Sequence, residues 1–475
     1  MRLARALTWL VPLGVGAALL CVNIAEPWIG SYDANGALFS TAARNYLRYG
    51  LLATRGGQVA NAGALTPGRF RFYAHHPPGI SLLLAASFAV FGEAEWSARL
   101  VTVVFTLGAA LCLFAIADDL GGPLPAFLAT LAFCVQPMVS FYGRMPSQQP
   151  PGLFLGLLTV VFYLRWRKEG GAWAVVGMCC AVLVGLWFAW MVFVMPWLLL
   201  GSHLLADRKG WRSLVPVVVV AVAGFGSVVA HIAVLEGGLG ELLGALAHRL
   251  GSAAADRGVQ EAFGLWDFLR RQWLYAVTGF SPVAWLLVLG WIAGLGRGRE
   301  WPLLTALAVF GLTNVVGFKQ AAFVHIYYQF FLSPFVGLAV GFALAGLWRS
   351  KRGLLWPALA VCLAVAMAGD CAWRLARIHR AVFYIEELEV AEAIRKATKP
   401  TDRLLVVWNH HSTFRQLTYY SDRDVVVVPD RRAAIEALAG GRFDRVVEVD
   451  GGVRLTEARE WASRGRSARP RGRPE

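Results

Sequence analysis

Charge is scarce in this sequence, and its scarcity excludes an ordinary soluble protein. Only 16% of the 475 residues are charged, whereas 57% are hydrophobic. Soluble domains carry about 25% charged residues. Apolar runs of roughly 20 residues, the length that crosses a bilayer, recur from Leu7 to about Trp373. The composition therefore predicts an all-α polytopic membrane protein.

Other signatures are missing from the sequence as well. The seven cysteines lie within or at the ends of apolar runs, without the spacing of a disulfide framework or a zinc site. A Gly-rich phosphate loop of the Walker type does not occur, so ATP-driven chemistry is not indicated. The net charge of +15 is dispersed over short loops instead of one face, so we expect no nucleic-acid partner.

The dispersed basic residues orient the chain, because Lys and Arg near span ends remain cytoplasmic. Four basic loops can share the cytoplasmic side with the N-terminus: Arg165–Lys168, Asp207–Arg212, Gly296–Arg299 and Arg349–Arg352. This arrangement requires about eleven spans: roughly 7–25, 97–117, 122–141, 151–166, 171–187, 188–206, 213–235, 281–297, 301–317, 328–348 and 354–373. We expect the first span to be retained and not cleaved as a signal peptide. The division of 171–206 into two spans is the critical one, because a single helix there would invert the later topology.

The apolar segment from Gly79 to Phe91 is too short for a span. Its 13 residues are better explained by a re-entrant or interface-lying helix. Counting it as a span would place every later basic cluster outside. The charge pattern therefore excludes it from the spans.

The longest outward loop, from Glu26 to Trp96, contains a candidate general base. Asp33 opens a stretch in which Phe39, Ala43 and Tyr46 recur at helical spacing, which predicts an amphipathic helix on the membrane surface. One interpretation makes Asp33 the N-cap of that helix. The other makes it a rigidly held general base.

Three further outward groups have two interpretations each. Arg69, Arg71, His75 and His76 precede a Pro-Pro turn, and they suit either interfacial anchoring or an anionic headgroup. Arg144, Gln148 and Gln149 suit phosphate or sugar hydroxyl contacts, or a polar loop tip. Lys319, His325, Tyr327 and Tyr328 suit a functional site at the membrane edge or an interfacial aromatic belt.

The chain after the last span reads as a small extracytoplasmic α/β domain. Helical periodicity covers 386–396 and 433–439, and strand runs cover 403–408 and 425–428. Asn409-His410-His411 follows the first strand, where open sheets often bind ligands, although a His pair at such a position more often belongs to a plain loop. We therefore predict a membrane module at 1–373, this domain at 374–463 and a disordered basic tail at 464–475.

The order of these motifs resembles the GT-C glycosyltransferases. The resemblance rests on Tyr32-Asp33 after the first span, His76-Pro-Pro-Gly79, Ser97-Ala-Arg99-Leu, Phe141-Tyr-Gly-Arg144, and His325-Ile-Tyr327-Tyr328 with Pro334. It covers roughly residues 1–370. The branch it points to is the bacterial PMT/RgtA-like group (glycosyltransferase family 39/83-like), related to protein O-mannosyltransferases and the lipid A aminoarabinose transferase.

The resemblance implies a reaction and a set of residues for it. A sugar would pass from a polyprenyl-phosphate donor to an extracytoplasmic lipid, glycan or protein acceptor, with Asp33 as general base. The candidate substrate-binding residues are Arg44, His75, His76, Arg144, Gln149, Lys319, His325, Tyr327 and Tyr328. The protein would lie in the inner membrane, in contact with membrane lipids, with its active site and C-terminal domain outside the cytoplasm.

The sequence departs from the family pattern at two places. Gln149-Pro150 stands where relatives often carry a second acidic residue, and a Lys found in some relatives near Phe188 is lacking. Few outer carboxylates remain to hold a cation, so a divalent cation stays open as a cofactor. Two alternatives also stay open: a carrier or flippase for a lipid-linked substrate, and a non-catalytic scaffold of the cell envelope.

Overall fold

The computed structural model describes residues 2–206, 209–250, 263–294, 301–351, 353–410 and 412–467. The described chain forms two compact units. The helical unit comprises 2–25, 74–80 and 99–380, and the mixed unit comprises 26–73, 81–98 and 381–467. Several residues used for prediction lie outside the described ranges: Asp207, Arg208, 296–299, Arg352, His411 and the tail from 468 onward.

Helices dominate both units. In chain order the elements are α1 (Arg2–Leu20), α2 (Ala34–Thr54), α3 (Gly79–Phe91), α4 (Glu95–Gly121), α5 (Pro123–Val135), α6 (Pro137–Ser140), α7 (Gln149–Glu169), α8 (Ala172–Leu186), α9 (Val194–Ala206), α10 (Val215–Glu236), α11 (Gly240–Leu250), α12 (Leu265–Phe280), α13 (Pro282–Ile292), α14 (Trp301–Gly317), α15 (Lys319–Val324), α16 (Ser333–Trp348), α17 (Leu355–His379), α18 (Ile385–Ala397), β1 (Arg403–Val407), α19 (Arg415–Ser421), β2 (Asp424–Val428), α20 (Arg431–Gly440), β3 (Arg445–Val449), β4 (Val453–Glu457) and α21 (Ala458–Ser467).

The long apolar helices make this a membrane protein, but their number is not that of the predicted spans. Four helical segments among the described residues are long and apolar enough to cross a bilayer: Glu95–Gly121, Trp211–Glu236, Ile326–Trp348 and Leu355–His379. Two bent helix pairs, α5 with the segment after it and α12 with α13, would raise the number to six. Leu7–Leu20, Ala172–Leu186, Trp190–Ala206 and Trp301–Gly317 are apolar but shorter. The count of about eleven spans therefore stays a prediction.

The structure divides 171–206 into two helices, as the predicted topology requires, and the crossing of the membrane by each of them stays a prediction. α8 ends at Leu186, and a 3-10 turn at Trp190–Phe193 leads into α9. Within the break, the Trp187 carbonyl accepts a hydrogen bond from the Gly79 amide at 2.9 Å. A Cβ at Gly79 would lie 2.5 Å from that oxygen. The glycine after the Pro-Pro turn thus lets the start of α3 stabilise a break that no polar residue marks in the sequence.

Small residues allow the helices of the helical unit to pack closely, as the glycine content predicts. At the contact of α5 with α16, a Cβ on Gly341 would lie 2.6 Å from the Ala129 Cα. α5 itself ends earlier than the predicted span at 122–141, because Gln136 leaves helical geometry before Pro137 and the chain bends by 60°. The predicted single span is thus a broken helix.

The mixed unit contains a four-stranded sheet in the order β2-β1-β3-β4. β1 pairs in parallel with β2 and β3, and β4 is antiparallel to β3. Buried residues on the two faces form separate cores, one around Leu404 and Val406, the other around Leu405 and Val446. The two predicted strands and two predicted helices of the tail are therefore confirmed, and β3, β4, α19 and α21 are added.

The unit boundary does not follow the predicted division at residue 373. α2 and the loop after it belong to the same compact unit as the tail. Ion pairs join them: Arg44 and Arg48 contact Asp422, and Arg69 and Arg71 contact Asp424 at 2.6 and 2.9 Å. These pairs span more than 350 residues, so no local sequence pattern could indicate them.

Candidate active site

A narrow cavity of about 30 Å³ lies within the helical unit. Its wall combines amide, imidazole, guanidinium and phenol groups with aromatic and apolar side chains. The lining residues are His76, Gln148, Gln149, Ala189, Trp190, Met191, Arg249, Asn314, Phe318, Tyr328 and Phe331. We call it the His76 pocket. A mostly apolar cavity with a few convergent polar groups is the usual form of a ligand site.

Its polar groups converge on His76. The His76 Nε2 atom lies 3.1 Å from the Arg249 Nη2 and 3.2 Å from the Gln148 Nε2. A guanidinium can only donate, so Nε2 accepts from Arg249 and a neutral imidazole carries its proton on Nδ1. The arrangement places a permanent cation beside a neutral, polarisable ring.

Main-chain contacts fix this group in place. The His75 carbonyl accepts hydrogen bonds from the Trp190 Nε1 at 3.1 Å and from the Arg249 Nη1 at 3.4 Å. Arg249 comes from the end of α11, and Trp190 from the turn before α9. His75 thus positions the site through its backbone, whereas the neighbouring side chain of His76 lines the pocket.

Gln149 supplies an acceptor to the pocket. It is only 3% exposed, and its Oε1 has no hydrogen-bond partner among the described residues. It begins α7, where Pro150 fixes the helix start. An unsatisfied buried acceptor costs about 1–3 kcal/mol, and a ligand hydroxyl would remove that cost.

The loop that contains His325 delivers one predicted residue to the pocket. Tyr328 lines it, and its carbonyl accepts from the Asn314 Nδ2 at 2.8 Å. The His325 ring stacks on Tyr327 and Tyr328, with centroids 5.1 and 6.2 Å apart. Lys319 is exposed and is not among the lining residues. His325 and Tyr327 therefore support Tyr328, and the structure does not bring Lys319 to the pocket.

Arg144 is buried away from the pocket-lining set. Its guanidinium donates to the Val22 carbonyl, lies 3.4 Å from the His379 Nδ1 and stacks over the Phe141 ring. Val22 belongs to the segment that follows α1. These contacts give Arg144 a positioning role for that segment, and its predicted contact with substrate stays a prediction.

Asp33 lies in the mixed unit at the start of α2. Its Oδ2 accepts from the Gly30 amide at 2.8 Å, and its side chain makes no capping bond to the helix. Asp33 thus occupies the N-cap position of α2, as one interpretation predicted, but its carboxylate closes the turn before the helix and does not cap the helix. The preceding residue, Tyr32, has a φ of 60°, a conformation that is uncommon for a bulky residue. The turn holds a partly exposed carboxylate in a fixed position.

Arg44 is engaged by groups of the mixed unit. Its Nε donates to the Glu93 carboxylate at 2.8 Å, and its Nη1 donates to the Tyr419 carbonyl at 2.9 Å and to Asp422 at 3.2 Å. Burial lowers the pKa of Arg44, but the hydrogen bond and charge of Glu93 outweigh it and raise the pKa overall. Arg44 therefore remains charged and joins α2 to the tail, and its predicted contact with substrate stays a prediction.

Sequence reasoning missed Arg249, Asn314 and Trp190. Asn314 is the one amide in the apolar helix α14. A polar group within an apolar helix is a default functional candidate, so Asn314 carried a signal. Arg249 follows His248 at the end of α11, which also contains Glu241, and nothing in that pattern distinguishes it from a solvated basic residue.

Metal ligands do not assemble in the described part of the chain. No group of three or more His, Cys, Asp or Glu there could hold a metal ion. In the tail, His410 stacks on Trp408 at 5.0 Å, and His411 lies outside the described residues. A divalent cation thus stays a prediction to which no residues are assigned.

Comparisons with known proteins bear on both fold and site. Residues 75–233 match the family described as dolichyl-phosphate-mannose-protein mannosyltransferase. The match includes His76, Arg144, Gln149 and Trp190, but not Asp33. No curated protein sequence matches the chain significantly.

Solved structures resemble the chain over most of its length. ArnT from Cupriavidus metallidurans bound to undecaprenyl phosphate has a TM-score of 0.63 and 16% identity, covering 94% of this chain and 93% of its own. The archaeal oligosaccharyltransferase AglB from Archaeoglobus fulgidus, in complex with an inhibitory peptide and a dolichol-phosphate, has a TM-score of 0.62 and 11% identity over 93% and 69%. The arabinofuranosyltransferase AftD from Mycobacteria has a TM-score of 0.57 and 15% identity over 98% and 36%.

These likenesses define the class first: the chain is a membrane protein with the GT-C fold. Within that class, residues 75–233 resemble the PMT-like group, whose family model they match. The predicted resemblance is confirmed.

Proposed function

We propose that the protein is a glycosyltransferase of the inner membrane that uses a polyprenyl-phosphate-linked sugar. The observation that carries this proposal is the His76 pocket, where Arg249, His76 and Gln149 converge among aromatic side chains. A carrier would need no such one-sided polar cluster, since transporters place their charged residues on broken helices near the midplane.

The pocket suits the phosphate of the donor. Arg249 supplies a permanent positive charge, and charge-assisted hydrogen bonds to phosphate are the strong ones. The departing lipid phosphate gains negative charge in the transition state, so a fixed cation accelerates its departure. Trp190, Phe318 and Phe331 supply apolar surface for the adjoining prenyl units, and the Gln149 Oε1 would accept from a sugar hydroxyl.

Asp33 is proposed as the general base. The bond between the sugar's anomeric carbon and the phosphate oxygen breaks, and a bond from the acceptor oxygen to that carbon forms. The acceptor's hydroxyl proton passes to the Asp33 carboxylate, and the lipid phosphate leaves with the bonding electron pair. The acceptor is a lipid, glycan or protein outside the cytoplasm, where the C-terminal domain also lies.

Polyprenyl phosphate binding by the purified full chain tests the donor site. We expect Arg249→Gln to weaken binding at least tenfold, because the phosphate loses a charged hydrogen-bond donor. Arg270→Gln is the matched control, since Arg270 is exposed on α12, and it should bind as wild type. Quenching of tryptophan fluorescence, to which Trp190 would contribute, reports the affinity. Equal affinity of the two variants would reject the His76 pocket as the phosphate site.

The orientation of the chain in the membrane is tested by a separate experiment. Reporter fusions after Arg167 and after residue 463 should report a cytoplasmic and an extracytoplasmic location, respectively. If both reporters lay on the same side of the membrane, the proposed orientation would be contradicted.

A further inference from the structure

We propose that a second cavity, contained entirely within the mixed unit, binds the acceptor through an anionic saccharide group. This inference rests on the proposed glycosyl transfer and specifies its acceptor class. The cavity measures about 440 Å³. It is lined by Leu38, Thr41, Ala60, Asn61, Arg71, Tyr73, Thr413, Phe414, Arg415, Thr418, Val425, Val426 and Val427. Four hydroxyls, an amide, two guanidinium groups and two aromatic rings suit a sugar ring with a negative charge.

The charge balance around Arg71 favours an anion. Its Nη2 donates to Asp424 at 2.9 Å and to the Val425 carbonyl at 3.0 Å. Asp424 also pairs with Arg69 at 2.6 Å and with Arg403 at 3.6 Å. Three arginines thus share one carboxylate, which leaves an excess of two positive charges. Burial and the charges of Arg403 and Arg69 lower the pKa of Arg71 despite the opposing effect of Asp424, so a bound anion would relieve repulsion.

Arg415 is the second cation of the cavity. Its Nη1 donates to the Asn35 Oδ1 at 3.1 Å, and its guanidinium lies 5.7 Å from the Tyr73 ring centroid. The contact with Asn35 and the ring fix its direction. Donors held in this way cost little ordering entropy when a carboxylate or phosphate binds.

Phe414 provides an aromatic wall in a strained conformation. Its φ is 52°, in the left-handed region, which costs a residue with a side chain roughly 1–2 kcal/mol. Strained residues of this kind cluster at ligand sites. The left-handed backbone conformation places the Phe414 ring in the wall of the cavity that Arg71 and Arg415 also line, where the C–H face of a sugar would pack.

Asp33 lies near this cavity through shared neighbours. Asn35, which accepts from Arg415, is two residues beyond Asp33 in the first turn of α2. Burial and the charges of Glu387 and Asp33 raise the pKa of the Tyr384 hydroxyl, while the charge of Arg415 lowers it. Both Asp33 and Arg415 are therefore close to Tyr384. An acceptor held by its anionic group on Arg415 would have its hydroxyl groups within the neighbourhood of the base.

Binding of simple sugars to the full chain in detergent tests the inference. Saturation-transfer NMR would compare glucuronate with neutral glucose. We expect glucuronate to bind at least tenfold more tightly, and Arg415→Gln to abolish that preference. Arg415→Lys, which keeps the charge, should restore part of it. Arg432→Gln is the matched control, because Arg432 is 90% exposed on α20, and it should behave as wild type.

The outcomes separate this inference from the proposed function. Equal binding of glucose and glucuronate, or an unchanged preference in Arg415→Gln, would overturn the anionic acceptor. Inorganic phosphate that binds as tightly as glucuronate would show a free-anion site and overturn the saccharide assignment. Arg415→Gln should still bind polyprenyl phosphate as wild type. Failure of polyprenyl phosphate to bind the wild type would instead overturn the donor site.

Discussion

Each of the two units is stabilised internally by a different kind of contact. In the helical unit, glycines have no side chain and let backbone segments pack closely, as Gly341 does against Ala129 and Gly79 does against the Trp187 carbonyl. In the mixed unit, charged side chains connect distant segments, as where Asp422 and Asp424 bind four arginines of α2 and the following loop. We therefore expect a larger side chain at a packed glycine to destabilise the helical unit, and the loss of a charged side chain to destabilise the mixed unit.

The largest effect is expected from Asp424→Asn. Asp424 is 4% exposed and accepts from Arg69, Arg71 and Asn61, so its neutralisation leaves three arginines facing one another. We expect the free energy of unfolding of the mixed unit to fall by about 3 kcal/mol, since Arg69 and Arg71 are partly exposed and the loss lies at the lower end for buried pairs. Limited proteolysis of the tail measures the change. The surface variant Glu436→Gln, in which the lost carboxylate is 70% exposed and paired with Arg432, should lose less than about 1 kcal/mol. Equal losses in the two variants would contradict the importance of charge in the mixed unit.

Gly341→Ala tests the steric half of the comparison. The new Cβ would lie 2.5 Å from the Ala129 nitrogen, and backbone atoms cannot move aside cheaply. We expect a loss of about 2 kcal/mol, typical of overpacking, seen as earlier thermal unfolding in detergent. Gly226→Ala in α10 is the control, because a Cβ there meets nothing within 4 Å. Indistinguishable melting of the two variants would contradict close packing of α5 with α16.

Acid should loosen the mixed unit through Asp422. Burial raises the pKa of Asp422, but the hydrogen bond from Arg48 and the charges of Arg44 and Arg48 outweigh it and lower the pKa from 3.8 to about 2. A depressed carboxyl pKa stabilises the fold above the unfolded value and loses that stabilisation as the pH falls through the folded value. We therefore expect about 2 kcal/mol to disappear between pH 4 and pH 2. Asp422→Asn should flatten this part of the pH profile, and an unchanged slope would exclude the ion pairs as its source.

The sequence predicted what depends on local pattern. Strands β1 and β2 follow from their apolar runs, the short helix from Gly79 follows from the length of its apolar segment, and the break near Leu186 follows from the placement of the basic loops. β3 and β4 were missed because Arg445–Val449 and Val453–Glu457 are short and interrupted by charge. The sequence also singled out His76, Gln149 and Tyr328, which the fold brings together in the His76 pocket, and their contact with substrate stays a prediction.

What could not be predicted depends on long-range pairing. The ion pairs of Arg44 with Glu93 and Asp422 could not be predicted, because Asp422 is distant in the chain and Glu93 follows 49 residues later. Arg249 was overlooked because its partner His76 lies 173 residues away. Local patterns identify the chemistry-bearing residues, but only the fold decides which of them meet.

Sugar transfer by Asp33→Asn tests the central claim most directly. The substrate would be the polyprenyl-linked sugar that accumulates in cells lacking the protein, and polyprenyl phosphate binding would be measured on the same sample. We predict that turnover falls at least a hundredfold, as expected when a general base is removed, while binding to the His76 pocket is unchanged. Wild-type turnover in this variant would contradict the account.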